Sequence, residues 1–411
     1  MYKEIKKCRV CGNDNLVEVL NLGKQALTGV FPSSKEQKVT VGPLTLVKCL
    51  GDDPKKHCGL VQLKHGYDLQ ELYSKNYGYR SGLNASMVEH LHNKVSKILS
   101  YTNLNFGDVI IDIGSNDATT LKFYPQNGYE LIGIDPIGGG FEKYYPENIK
   151  LIPNFFNAAT VENAIGNKKV KVITSFSMFY DLEDPVGFAR DIAHVLAADG
   201  IWVLEQSYMP EMLQQNSFDT VCHEHLEYYG LTQIKWIVEK ADLRILDVEF
   251  NAVNGGSFSI IVGKKESSLL ANEELIEQIL EKEKALELHT LKPYLAFAVR
   301  AAEAREQLLQ KIQSIKKEGK TIYGLGASTK GNVILQYCGI TAKDISCVGE
   351  VNKDKFGKYT PGTLIPIISE KELLAKKPDY LLVLPWHFRD FFIATALFKD
   401  IKLLFPLVPK K

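Results

Sequence analysis

The sequence predicts an α/β protein in three parts, a small N-terminal zinc-binding domain ahead of two Rossmann-like units. Three observations carry this. Val109, Ile110, Ile111 and Ile113 form a β-branched run that stops at Gly114, and a second run, Leu131 to Ile134, closes on Asp135 about 20 residues past the turn. From there to Glu205, strand-like runs alternate with helical spacing, the pattern of a parallel, doubly wound sheet. A second glycine turn, Gly324-Leu-Gly326-Ala-Ser328-Thr329-Lys330-Gly331, follows another strand-like run, Thr321 to Leu325. At 411 residues the chain exceeds one ordinary core, and boundaries are expected at 1–68, 69–268 and 269–411.

Composition narrows the function. At 45% hydrophobic and 24% charged, the chain has the make-up of a soluble globular protein. Lys plus Arg and Asp plus Glu are 49 each, so no global field recruits nucleic acid or an acidic membrane. The opening residues MYKEIKKCRVCG have basic groups with no apolar run behind them, and no stretch is apolar for the length of a membrane span, so a cytoplasmic location is expected. A monomer is the favoured state. The chain has seven cysteines, four of them by position 58, and that clustering argues for metal rather than a disulfide framework.

Cys8-Arg-Val-Cys11-Gly12 is a tight turn that lets two thiolates face one ion, and Cys49 and Cys58 supply a second pair across a looser loop. Gly51, Asp52, Asp53 and Pro54 are turn formers that let this loop close, and His57 could replace one cysteine. A zinc held by Cys8, Cys11, Cys49 and Cys58 would be structural, since four protein ligands leave no open position. A redox pair or incidental cysteines are the other readings. Between Tyr67 and His92, four tyrosines stand with Arg80 and the Gly78 and Gly82 bends. Core packing is the commoner role for any one tyrosine. The bends favour a loop lying over a ligand, so Tyr77 or Tyr79 is expected beside the site, with Arg80 as a substrate contact.

The stretch Asp108 to Pro136 reads as strand, glycine turn, helix, strand, with Asp112, Gly114, Asn116, Asp117 and Asp135 as cofactor contacts. Asp135 is placed to accept ribose hydroxyls. A single glycine stands where a dinucleotide would want G-x-G-x-x-G, so the turn fits S-adenosylmethionine (SAM) better than NAD. An ordinary turn without a ligand is the alternative. Further strands are expected at Lys150 to Pro153, Val170 to Ser175 and Ile201 to Glu205, with a helix at Asp184 to Leu196. Asn154 follows one strand where a side chain often flanks an adenine, and packing is an equal reading of Asn154-Phe155-Phe156. Ser177 and Tyr180 follow another strand at the sheet edge where ligands bind.

The chemically densest segment is Glu205 to Tyr229, with His223, Glu224, His225, Glu227, Tyr228 and Tyr229 within seven positions. It lacks H-E-x-x-H, so a loop of acid-base groups is preferred over a metal site. A polar loop with satisfied histidines is the plainer reading. Leu243 to Phe250 and Ser257 to Val262, around Asn254-Gly255-Gly256, predict a closing hairpin. Two helices are expected from Asn272 to Lys317, broken at Pro293. The turn at Ser328, Thr329, Lys330 and Asn332 reads as an anion site at a helix N-terminus, with the diphosphate of a nucleotide sugar preferred over NAD. NAD would need an acid closing the next strand, and Glu350 stands there after Ile345 to Gly349. After a strand at Tyr380 to Pro385, Trp386, His387 and Arg389 could hold a base or phosphate, or pack between domains.

Taken in order, CRVCG with a second cysteine pair, YGYRSG, IDIGSND, CHEHLEYY, NGGSF and GLGASTKGN resemble the three-domain C-methyltransferases that act on nucleoside-diphosphate keto-deoxysugars. The resemblance spans nearly the whole chain. It implies a zinc domain, a SAM domain and a C-terminal Rossmann-like domain that helps hold the sugar nucleotide. It implies that His225 removes the proton beside a 4-ketone, that Glu224 positions the base or sugar, and that Tyr77, Tyr79 and Tyr180 line the site, with His223 as a substrate contact. Cys222 stands where well-known members have tyrosine, and Tyr180 where they have histidine. Methylation of oxygen or nitrogen on a related sugar, and an NAD(P)-dependent oxidoreductase, are the alternatives.

Overall fold

Val109–Ile113 is buried along its whole length, and everything in the central domain is layered against it. Val109, Ile111 and Ile113 face a layer containing Ile192, Ile234 and Ile276, while Ile110 faces Val95 and Ile98 on the other side. A strand covered on both faces reads as continuously apolar, which is why this run carries no polar alternation. The computed structural model describes residues 2–72 and 80–407.

The central sheet has seven strands in the order Leu243–Asn251, Ser257–Lys264, Leu196–Ser207, Val170–Phe176, Val109–Ile113, Glu130–Ile134 and Ile149–Ile152. The last five run parallel, and Ser257–Lys264 is antiparallel to both its neighbours. The hairpin expected around Asn254 is therefore present. Chain order reverses on either side of Val109–Ile113, which puts the ligand-binding edge beside Gly114. Helices Ala85–Tyr101 and Pro185–Val195 cover opposite faces, capped by the side chains of Asn84 and Asp184.

One expected element is not formed. Between Gly114 and Glu130 the chain makes only a short 3-10 turn, Leu121–Phe123, in place of a helix. Asn116 and Ala118 take φ of 49° and 60°, conformations that an α-helix cannot contain, and Pro125 follows soon after. A helix here has no run of residues in which to nucleate.

The N-terminal sheet pairs Leu16–Ala26, Val41–Cys49 and Val61–Leu63 antiparallel, and its fourth strand is Glu227–Tyr228 from the densest polar segment. The C-terminal sheet has five parallel strands in the order Ile367–Ser369, Val348–Glu350, Ile322–Leu325, Tyr380–Val383, Lys402–Leu404. Helices Glu273–Ala285 and Lys292–Lys317 lead into it, with Pro293 in the first turn of the second, where a missing N–H costs nothing. One apolar cluster runs from Leu44 and Leu46 through Phe218 and Val221 to Phe297 and Trp386, so N-terminal sheet, polar segment and C-terminal unit share a core. No helix among the described residues is long and apolar enough to cross a membrane.

Candidate active site

Gly114 turns at φ +71° with the Met178 side chain pressed against it, so that a Cβ there would stand 3.2 Å from Met178 Cγ. The turn is pinned from the next strand. Asp135 accepts hydrogen bonds from the Asn116 amide at 2.8 Å and the Ile137 amide at 2.9 Å. Burial raises its pKa against these two bonds. Beside it opens a cleft of about 1350 Å³, mouth included, lined by Asp112, Asn116, Asp135, Phe155, Phe156 and Ser177 among others. Ser177 reaches the edge at φ 54°, its amide donating to the Glu205 carbonyl at 2.7 Å. Asp112 is wholly buried and accepts from Thr174 Oγ1 at 2.6 Å; burial pushes it up to about 7 despite the hydroxyls of Thr174 and Thr120. Four carboxyls, Asp112, Asp135, Asp181 and Glu183, line this cleft, and such a wall suits a ligand that carries cationic groups on an adenosine.

Asn154 does not join them. Its side chain accepts from the Phe155 amide at 2.8 Å in an exposed turn, and the walls at that end are Phe155 and Phe156 instead. Asp117 lies behind the cleft, accepting from Thr119 Oγ1 and from the Gly82 amide at 3.1 Å, with the Arg80 guanidinium 3.5 Å away. Arg80 also stacks on Tyr144 at 4.4 Å. Asn116 accepts from the Ser81 amide at 3.1 Å. Both residues thus hold the end of the segment that leads into the site. Tyr77 and Tyr79, expected over it, lie outside the described residues.

The polar segment is fixed from two sides. The Leu226 amide donates to the Tyr180 carbonyl and the Leu63 amide to the Leu226 carbonyl, each at 2.8 Å. His225 packs against Tyr180 with ring centroids 4.3 Å apart and the planes tilted by 55°. The turn carrying Tyr180 also supplies Asp181 to the wall of the cofactor cleft. His225 Nδ1 lies 2.8 Å from the Thr220 carbonyl, which can only accept, so Nδ1 carries the proton and Nε2 keeps its lone pair. Burial and the nearby Lys330 ammonium lower His225 to about 4, so the imidazole is neutral at pH 7. Glu224 is buried and accepts from Thr28 Oγ1 at 3.3 Å. Burial raises its pKa, opposed by bonds from its own amide, the Cys222 thiol, Thr28 and the Gly29 amide. His223 points the other way, its ring against Tyr67 at 4.7 Å, and burial lowers it to about 3. It belongs to the packing of the N-terminal sheet, on the far side of the loop from His225.

The C-terminal turn meets the same place. Helix Thr329–Cys338 is capped by Ser328, whose hydroxyl accepts from the Gly331 amide at 3.0 Å and so is already engaged. Asn332 donates to the Thr28 carbonyl at 2.7 Å, and Gln336 exchanges two bonds with the Ala26 backbone. Lys330 Nζ donates to the Asn254 carbonyl at 2.8 Å. His387, lowered to about 3 by burial and by Lys330, completes this side. Glu350 turns back on its own neighbourhood, accepting from the amides of Ala327, Val351 and Asn352.

Three contributors escaped the sequence reading. Thr28 touches Glu224 from the N-terminal domain. Asp219 is buried and accepts from Trp386 Nε1 at 2.8 Å. Asn254 offers a backbone carbonyl. Thr28 sits in no motif, and Asp219 and Asn254 lie in segments singled out for other residues, so only their meeting in space marks them.

The four cysteine sulfurs lie within 4.8 Å of one another, with Cys8 to Cys58 and Cys11 to Cys49 each at 3.5 Å. Thiolates about 2.3 Å from a tetrahedral ion would stand about 3.8 Å apart, so the set fits zinc. His57 is not in the cluster. Asn13 Nδ2 donates to Cys49 Sγ at 3.3 Å, the kind of bond that orients a ligand.

Three family models match consecutive parts of the chain: "Putative zinc binding domain" over residues 8–73, "Methyltransferase domain" over 87–248 and "C-methyltransferase C-terminal domain" over 252–401. C-methyltransferase NovU of Streptomyces niveus is 28% identical over 391 residues, covering 94% of this chain and 91% of that protein. Among solved structures, a S-adenosylmethionine-dependent methyltransferase from Clostridium acetobutylicum covers 43% of this chain and 92% of its own at 13% identity, with a TM-score of 0.35. The CcbJ methyltransferase from Streptomyces caelestis covers 42% of this chain and 89% of its own at 9% identity, with a TM-score of 0.34.

Proposed function

We propose that this chain is a SAM-dependent C-methyltransferase with a zinc-binding N-terminal domain, and that the carbon it methylates lies beside the ketone of a nucleoside-diphosphate keto-deoxysugar. The observation that carries the proposal is His225, whose Nδ1 is committed to Thr220 and whose Nε2 is a free, neutral base. Carbon is not nucleophilic until a neighbouring carbonyl lets a proton leave, and a base of this kind is what that step needs. SAM supplies the electrophilic methyl group, held by Asp112, Gly114, Asn116, Asp135 and Ser177.

The rest of the substrate is read from what surrounds His225. Residues of all three domains converge there, which suits a ligand larger than a bare sugar. Lys330 acts on it from the C-terminal domain with His387 beside Lys330, Thr329 stands near Gly29 next to Glu224, and Arg80, tied to Asp117 and Tyr144, closes the lead-in segment. Glu224, tied to Thr28, fixes the loop on which the base stands and so acts as a positioning residue. His223, Ser328 and Glu350 are left out of the substrate site because their polar atoms are buried or engaged elsewhere. Domain boundaries near 68 and 268 belong to the same reading. So does assignment to deoxysugar and surface-polysaccharide biosynthesis.

The test incubates purified protein with SAM and a panel of dTDP-, GDP-, CDP- and UDP-linked 4-keto-6-deoxyhexoses. A product heavier by one methyl group, with solvent deuterium entering the reacting carbon, is expected from at least one. His225→Asn should lower kcat by roughly 10²–10⁴-fold while SAM binding stays unchanged. Methyl transfer to oxygen or nitrogen, surviving in the His225 variant, would instead identify a related sugar methylated without an enolate.

A further inference from the structure

Lys330 is placed oddly for a residue that holds a diphosphate. It stands in the first turn of helix Thr329–Cys338, and its ammonium reaches across to the Asn254 carbonyl in the hairpin turn of the central domain. Among the described residues no carboxylate makes an ion pair with it. Burial lowers its pKa, and the groups that favour its charge against that burial are Asp219, already bonded to Trp386, and Cys222. Its own charge acts on the two imidazoles His225 and His387. An ammonium has three donors, and one is used.

A cation beside a general base works against the base, because the imidazolium that forms is repelled. The pairing makes chemical sense if negative charge develops between the two at the same moment. The same helix turn is bolted to the reaction loop through Asn332, Thr28 and Glu224, so the distance between Lys330 and His225 is set by packing rather than by a mobile side chain alone.

We propose that Lys330 is a catalytic residue: it holds the ketone oxygen of the substrate and takes up the negative charge as His225 withdraws the neighbouring proton. The C–H bond beside the carbonyl breaks, its electron pair becomes the enolate C=C, and the carbonyl π pair moves onto the oxygen beside Lys330. The proton goes to His225 Nε2. Preorganised donors at a developing oxyanion lower such barriers because they need not reorient during the reaction. This inference rests on the keto-sugar reading above.

Hydrogen–deuterium exchange at the substrate carbon, measured in D₂O without SAM, isolates the step. With the same keto-sugar panel, Lys330→Met should slow exchange by about 10²–10³-fold with KM changed only a few-fold. Its thermal midpoint and SAM binding should stay near those of the parent. The pH profile gives a second readout. His225 is faced by Tyr180 and Lys330, and Lys330 in turn by Asp219 and His387, with Cys222 and Glu224 on the loop of His225. Loss of the ammonium should move the acid limb upward from about 4 toward an ordinary histidine. Lys330→Arg, which keeps the charge but replaces the compact ammonium by a bulkier planar guanidinium, should preserve the low limb and KM while exchange falls at least tenfold. Exchange at the parent rate in Lys330→Met, with KM raised or not, would overturn the proposal and leave the keto-sugar reading standing. Absence of exchange by the parent with every sugar would end both.

Discussion

Asp112 shows how one residue can be read in sequence and still change meaning in the structure. An acid near the end of the first strand suggested a cofactor contact, and it does line the cleft. Burial also lifts it to about 7, which position alone could not reveal. An unfolded aspartate titrates near 4. Between that value and about 7 the folded chain binds the extra proton, so this group's contribution to stability falls as pH rises and reaches its floor above 7. Asp112→Asn should therefore raise the thermal midpoint of the SAM-free protein at pH 8 and have little effect at pH 4. The same change should weaken SAM binding by roughly tenfold or more, the scale of a lost hydrogen bond to a charged group. Calorimetry at the two pH values checks both. His225 and Glu224 were legible as chemistry in the sequence. Which nitrogen is free, and that His223 faces Tyr67, depend on backbone carbonyls and rings that no motif encodes.

Elements were legible where apolar periodicity was strong. The seven central strands, the closing hairpin and the two helices split at Pro293 follow from β-branched runs, a glycine turn and a proline. The helix after Gly114 does not form, because Asp135 takes the Asn116 amide and Asn116 and Ala118 stand in left-handed conformations. Glu227–Tyr228 could not be found by pattern at all, being only two residues long and paired with another domain. That pairing gives zinc a role at the reaction loop. Cys49 ends one strand of the N-terminal sheet and Cys58 leads into the strand that Glu227–Tyr228 joins. Stripping zinc with a strong chelator should cost methyl transfer tenfold or more while SAM affinity changes by less than about threefold, since metal binding there is folding energy. Equal loss of both would show that the metal supports the whole molecule.

At the scale of the whole molecule, the site exists only where the three parts meet. Composition and motif separate them, and packing between domains is one of the two readings of Trp386, but nothing in the sequence points to Thr28 and Asp219 at the junction, since their partners lie roughly 170–300 positions away. Asn332 and Gln336 clasp the C-terminal helix to the N-terminal strand. Replacing both by alanine strips partners from buried backbone groups, at about 1–3 kcal/mol each. An earlier melting transition and a higher KM for the proposed sugar nucleotide are expected, with SAM binding unchanged, because the proposed cofactor contacts lie in the central sheet. The two-residue strand Glu227–Tyr228 also has a consequence in time. During synthesis the edge at Val61–Leu63 emerges early, but its partner follows about 165 residues later, or roughly 10–30 s at typical elongation rates. For that interval the nascent chain carries an unpaired strand edge, a template for wrong pairing, and burial of that edge must wait until the reaction loop itself has been made.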